Sequence, residues 1–180
     1  DHPTVLFMGR LAEEKHVDVL IDAVAKTPPE LNVHAEIVGG GEVKSALIAQ
    51  AKRLGIEDRI AFRGLVSDEE LRQAYLRADI FCMPGTAELQ SLVTLEAMSA
   101  STPVLLADAM ALPHLVEQGE NGYLFEPGNS TEVSKRITEI LELSEDERAK
   151  MGRHSRAMVD SHSLESTLAT FEKLYRAEGI

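Results

Sequence analysis

Six short apolar runs punctuate the first 125 residues of this chain. They are Thr4–Met8 (TVLFM), Val33–Val38 (VHAEIV), Arg59–Phe62 (RIAF), Asp79–Met83 (DIFCM), Pro103–Leu106 (PVLL) and Tyr123–Phe125 (YLF). Such near-continuous runs fit strands buried on both faces of a parallel sheet, rather than the alternating pattern of a half-exposed one. Parallel strands need long crossovers. The segments between the runs are HVDVLIDAVAKT, EVKSALIAQAKRLG, SDEELRQAYLRA, LVTLEAMSA and LPHLVEQGE, and each carries apolar residues three or four apart. In the second, Val43, Leu47, Ala51 and Leu54 mark the buried stripe and Gly55 the stop. Ser67 or Asp68 can cap the third, with Glu70 in its first turn.

This alternation predicts an α/β fold: a Rossmann-like, doubly wound parallel sheet of about six strands. After Pro127 the pattern turns all-helical, over roughly 130–142, 145–159 and 163–178. The expected organisation is one domain over 1–180, with an α/β core over 1–128 and a helical tail over 129–180. No repeat or second-domain boundary interrupts it.

Charge narrows the ligand class. With 18 basic and 30 acidic residues the net charge is −12, which argues against a nucleic-acid partner, since phosphate backbones demand clustered Lys and Arg. A small anion needs only two or three local positive groups. The single Cys82 has no partner for a disulfide, pointing to a reducing compartment. No apolar stretch approaches a membrane-spanning length. The chain opens at DHPTVLFMG without an initiator Met or a signal peptide, and is read as a piece of something larger.

In doubly wound sheets ligands bind beyond the carboxyl ends of the strands. After the first run comes Gly9-Arg10-Leu11-Ala12-Glu13-Glu14-Lys15, with no GxGxxG dinucleotide fingerprint. Arg10 can grip a diphosphate with two donors and Lys15 adds a point charge, beside the positive end of the next helix. Two solvated charges next to Glu13 and Glu14 remain an equal alternative. Gly39-Gly40-Gly41 is a weaker phosphate cradle, because glycines after a strand more often serve a tight turn or close packing.

The fourth loop reads PGTAELQSLVTLEAMSASTP, with Glu88 and Glu96 eight residues apart. The helix is expected to begin between Gln90 and Val93. If both acids were helical, about 12 Å of rise would separate them. That suits two ends of one extended ligand; carboxylates of retaining glycosidases sit at about 5 Å. Carboxylates accept hydrogen bonds from vicinal hydroxyls, and the amides of Gln90, Ser91, Leu92 and Val93 would face an anion. The competing reading leaves Glu88 solvated and Glu96 satisfied by a neighbouring helix.

Taken together, MGRLAEEK, IVGGGEVKSAL, RIAFRGLVSDEELRQAYLRADIFCMP and AELQSLVTLEAMSASTPVLLADAMALPHLVEQGENGYLFEPGN closely resemble one family. It is the C-terminal domain of GT-B type retaining nucleotide-sugar glycosyltransferases, glycosyltransferase family 4. The likeness runs in order over essentially the whole chain, and its sharpest element is E-x7-E followed by EAM and TPV. The resemblance implies that Gly9, Arg10 and Lys15 hold the donor diphosphate and that Glu88 meets hydroxyls of the transferred sugar. It assigns sugar and phosphate contacts to the backbone of Gln90, Ser91, Leu92 and Val93, and the ribose to Glu96. The base is placed against Arg63, Gly64 and Val66, and Glu88, Arg10 and Lys15 form the catalytic set.

The resemblance further implies a UDP- or GDP-sugar as donor substrate, no cofactor and no metal. It implies an N-terminal Rossmann domain of the same protein carrying the acceptor site, absent from this chain. The location implied is cytoplasmic, with peripheral association at the inner face of a membrane through that domain. The isolated domain is expected to bind donor and to turn over poorly. Two departures stand out: Ser91 where many relatives carry Gly, and Ala100-Ser101-Thr102-Pro103 where they carry C-G-T-P. A non-catalytic nucleotide-sugar-binding or scaffold domain, or half of a sugar-nucleotide epimerase, are the alternatives. His114 and His162 have no companion at metal-ligand spacing.

Overall fold

The computed structural model describes residues 2–160. The six runs form one all-parallel sheet of β1 (Thr4–Met8), β2 (His34–Val38), β3 (Ile60–Gly64), β4 (Ile80–Met83), β5 (Val104–Ala107) and β6 (Gly122–Phe125). Their order is β3-β2-β1-β4-β5-β6. The chain builds outward from β1 to β3, then returns to lay β4 on the other side of β1. That reversal parts the loops after β1 and β4 and opens a crevice between them.

The crossovers are α1 (Val17–Lys26), α2 (Lys44–Arg53), α3 (Asp68–Arg77) and α4 (Leu92–Ser99), followed by α5 (Ser130–Glu142) and α6 (Glu145–Asp160). α1 packs between α2 and α5, while α4 packs on α6. Local chemistry fixes several ends. Ser67 and Glu70 cap α3 reciprocally, each side chain taking the other's backbone amide, a device worth about 1 kcal/mol. The Asn129 side chain accepts from the Glu132 amide at 3.0 Å to start α5. Gly55 (φ +68°) ends α2.

β1, β4 and β5 are apolar along their length because both faces are covered; Phe7, Phe81 and Leu105 are fully buried. Burial of a side chain that large contributes about 1.5–3 kcal/mol. Cys82 sits at the same depth, and burial pushes its thiol pKa up. The tail adds to this core. Val133, Ile137 and Ile140 of α5 are buried, and Lys26 Nζ of α1 donates to Ser130 Oγ at 2.7 Å. α6 leans on the turn between α4 and β5. A methyl group on Gly152 would lie 2.0 Å from Ser101 O. The helix expected over 163–178 lies outside the described residues.

The fifth expected crossover differs. LPHLVEQGE is not an α-helix: only Leu112–Leu115 turns, as a 3-10 segment. The Asn121 side chain, fully buried, accepts from the Glu117 amide at 2.8 Å and donates to Leu115 O at 2.9 Å. These bonds take the place of a helical ladder, which the left-handed Gly119 (φ +80°) would end. Strand ends shift slightly as well. β3 reaches Gly64, and Asp79 precedes β4, its Oδ2 accepting from the Thr4 amide at 2.8 Å.

Candidate donor-binding site at the switch point

The loops after β1 and β4 are stitched across the crevice. Thr86 N donates to Glu14 O at 3.1 Å, and the His16 ring nitrogen Nε2 lies 3.2 Å from Thr86 Oγ1. Lys15 Nζ forms an ion pair with Glu88 Oε1, so residues 73 apart in sequence meet at the centre of the site. Lys15 and Glu88 are both largely screened from solvent. Arg10 is different: its guanidinium lies open to solvent and pairs with Glu14 Oε1 at 2.6 Å. Both cations expected to receive phosphate are therefore matched by carboxylates of the chain itself.

Glu88 is in the loop, not in the helix, and its carbonyl accepts from the Ala111 amide at 3.1 Å. α4 begins at Leu92, within the expected window. The amides of Gln90, Ser91, Leu92 and Val93 donate to no acceptor among the described residues, leaving a row of N–H groups at the positive end of α4. Ser91 is buried, its hydroxyl 2.7 Å from Thr94 Oγ1. Its backbone has negative φ, so the position makes no demand for glycine and the side chain is turned into the fold. Ser101, the other departure, does occupy left-handed backbone (φ +62°).

Glu96 stands exposed on the second turn of α4, and its Oε2 accepts from the Tyr75 hydroxyl at 2.7 Å. Burial, then the neighbouring Glu96 charge, push the Tyr75 pKa up, keeping the phenol a donor. A cleft of about 420 Å³ runs over the ends of β1, β2 and β3, lined by Gly9, Arg10, Gly39, Gly40, Gly64 and Val66 among others. Its floor is backbone in contact with backbone. A methyl group on Gly39 would meet Gly9 O at 1.9 Å, and one on Gly41 would meet Leu11 O at 2.1 Å. The triple glycine thus serves close packing, and only Gly40 faces open space.

Arg63 is not brought to this cleft by its side chain. Its Nε donates to Glu36 Oε1 at 3.2 Å, in an adjoining groove with Arg77, which grips the same carboxylate. Glu36 is 4% exposed, and a carboxylate at that depth requires such partners.

The sequence profile of the family described as glycosyl transferases group 1 matches residues 1–158. The chain belongs to that family. It is 34% identical over 182 residues to the D-inositol 3-phosphate glycosyltransferase of Streptomyces scabiei, covering 96% of this chain and 41% of the relative. Among solved glycosyltransferase-like folds it superposes on Anabaena Alr3699/HepE, crystallised in complex with UDP, with a TM-score of 0.85 and 30% identity. That match covers 97% of this chain and 49% of the other. The fold is shared with a crystallised C-terminal domain of a glycosyl transferase group 1 protein, LpcC of Francisella tularensis (TM-score 0.77, 24% identity, 89% and 85% covered). The chain spans less than half the length of the curated relatives it matches. Membership of this transferase family accounts for a Rossmann-like half with a crevice at the switch point. No helix among the described residues is long and apolar enough to cross a membrane.

Two residues beside the site, Tyr75 and His16, escaped sequence reading, as did Glu36 in the adjoining groove. Tyr75 and His16 act through partners distant in sequence. Glu36 did leave a signal, an acid in the middle of the apolar run VHAEIV, which a buried strand tolerates only with a cation opposite.

Proposed function

We propose that this chain is the donor-binding, C-terminal domain of a retaining glycosyltransferase of family 4, which moves a hexosyl unit from a nucleoside diphosphate sugar to an acceptor hydroxyl. The observation that carries the reading is the convergence of Lys15, Glu88 and the unsatisfied amides of α4 at one switch point. A diphosphate fits that set: two cations and a helix start on one side, a ribose-height carboxylate at Glu96, and a cleft beyond for the base. Relatives of this fold are crystallised with UDP and with UDP-glucose, which favours a uridine donor.

In this reading the bond between the anomeric carbon and the β-phosphate oxygen breaks with its electron pair leaving on the diphosphate. Arg10, Lys15 and the α4 amides stabilise that charge without help from a metal. The incoming phosphate draws Lys15 away from Glu88, and the freed carboxylate then accepts hydroxyls of the sugar. Glu96 positions the ribose; neither acid is a nucleophile. The acceptor hydroxyl, held by an N-terminal Rossmann domain of the same protein, bonds to the anomeric carbon on the face the diphosphate leaves, and its proton passes to the departing β-phosphate oxygen. Leu65, Leu89, Leu92 and Met110, all exposed on or beside the loops at this edge, suit a surface that such a domain covers.

Calorimetry with UDP, GDP and ADP tests the reading. Binding to at least one is expected, without sugar transfer by the isolated domain. Absence of heat for all three at about millimolar concentration, where affinity falls to about −4 kcal/mol, would overturn it.

A further inference from the structure

The cations at the carboxyl edge of the sheet are, with one exception, already matched. Arg10 pairs with Glu14, Lys15 with Glu88, and Arg63 and Arg77 share Glu36. The exception is Lys44, the first residue of α2, whose ammonium forms no hydrogen bond or ion pair among the described residues. It is half-buried rather than splayed into solvent. A methyl group on Gly64 would lie 3.9 Å from Lys44 Nζ, and Gly64 (φ +71°) lines the cleft beside Leu65 and Val66. An unpaired ammonium is therefore held beside Gly64, at the β3 edge of an otherwise largely apolar cleft.

Resting on the reading of this cleft as a nucleotide site, we propose that Lys44 determines base specificity, selecting a base that presents a carbonyl there over one that presents an amine. The physical argument is one of polarity. Lys carries three N–H donors and no acceptor. Uracil O4 and guanine O6 accept from it; the amino groups at the same ring positions of cytosine and adenine can only face it donor to donor. Sites built to hydrogen-bond one group reject the analogue lacking it far more strongly than apolar pockets do. No carboxylate among the described residues competes for this ammonium, so the base meets it without first displacing a partner. That sets Lys44 apart from Lys15. Gly64 matters to the same device, because a side chain there would begin 3.9 Å from the ammonium and take up room beside it.

The test is a binding panel of UDP, CDP, GDP and ADP against the wild-type domain, Lys44→Met and Lys44→Arg, with circular dichroism melts to verify folding. UDP and CDP form the sharper pair, since they share sugar, diphosphate and ring size. The wild type is expected to prefer UDP to CDP and GDP to ADP by about tenfold or more, the range for a hydrogen bond to a charged group. Lys44→Met should reduce both preferences to within about threefold, leaving CDP and ADP nearly unchanged, and Lys44→Arg should restore much of them. If Lys44→Met weakens all four nucleotides equally, the lysine acts as a general counter-ion to phosphate and the proposal falls. If the preferences survive intact, backbone groups read the base and the proposal falls equally. Failure of every nucleotide to bind the wild type would instead overturn the donor-domain reading on which it rests.

Discussion

The hydroxyl of Tyr75 on α3 donates to Glu96 Oε2 on α4 across 2.7 Å. Two consecutive crossover helices are thereby joined by a single hydrogen bond, and the acid assigned to the ribose receives a fixed orientation from a buried ring. Tyr75 touches no ligand in the proposed site; it is a positioning residue. Tyr75→Phe keeps the ring and removes the donor. Nucleotide affinity should fall by about threefold to tenfold, the effect of one lost hydrogen bond to a charged group that is itself exposed, and Glu96→Ala should cost more. Calorimetry with UDP on both variants and on their combination checks this. Additive losses would show that the two residues act independently.

Lys15 and Glu88 neutralise each other in the ligand-free site, so phosphate and carboxylate compete for one ammonium. Glu88→Gln removes the competitor while keeping the shape. UDP should bind about threefold to tenfold tighter to this variant, in line with about 1 kcal/mol per released pairing. The full sugar nucleotide should gain less or lose, because its hydroxyls forfeit the carboxylate. Equal changes for UDP and UDP-glucose would contradict the division of labour.

Alkaline stability follows from two groups whose pKa is raised. Burial lifts Cys82 above its ordinary 9.0, and burial together with Glu96 lifts Tyr75 above 10.0. Their contribution is fully present below about pH 9 and is lost as pH rises, because the unfolded chain releases protons that the folded one keeps. Urea unfolding from about pH 8 to pH 11 should show stability declining. The decline should be shallower in Cys82→Ala and Tyr75→Phe, whatever their stability at pH 8.

α6 and the α4–β5 turn approach each other through Gly152 and Ser101. Gly152→Ala places a methyl group 2.0 Å from Ser101 O and should cost about 1–3 kcal/mol, as overpacking does. Ser101→Gly acts oppositely. It relieves left-handed backbone worth about 1–2 kcal/mol and returns about 0.4–1 kcal/mol through a freer unfolded chain, leaving a net gain of up to about 1.6 kcal/mol. Thermal melts of both variants measure the two signs directly.

Much of this was legible in the sequence, and the exceptions have physical causes. Runs such as TVLFM and DIFCM announce doubly covered strands because four contiguous apolar residues bounded by turns are too short for a buried helix. The switch point then follows from topology, and with it the loops bearing Arg10, Lys15 and Glu88 and the helix bearing Glu96. LPHLVEQGE misled because its apolar spacing is helical while the Asn121 side chain, bonded to Glu117 and Leu115, decides the backbone. Arg63 was expected at the base, yet a buried Glu36 attracts its side chain elsewhere. Pairings such as Lys15 with Glu88 depend on loop geometry that no local pattern encodes.

The bare backbone contact between the β1 and β2 loops has a consequence for how this protein could be altered. Gly39 and Gly41 lie against Gly9 and Leu11 with no room for a methyl group, so the base of the crevice is a fixed platform. A ligand settling on it spends little free energy on ordering the chain beneath. Diversification of donor choice therefore belongs on the rim, where Leu65, Lys44 and Leu89 can be exchanged freely, and a library that randomises the triple glycine would sample mostly broken platforms.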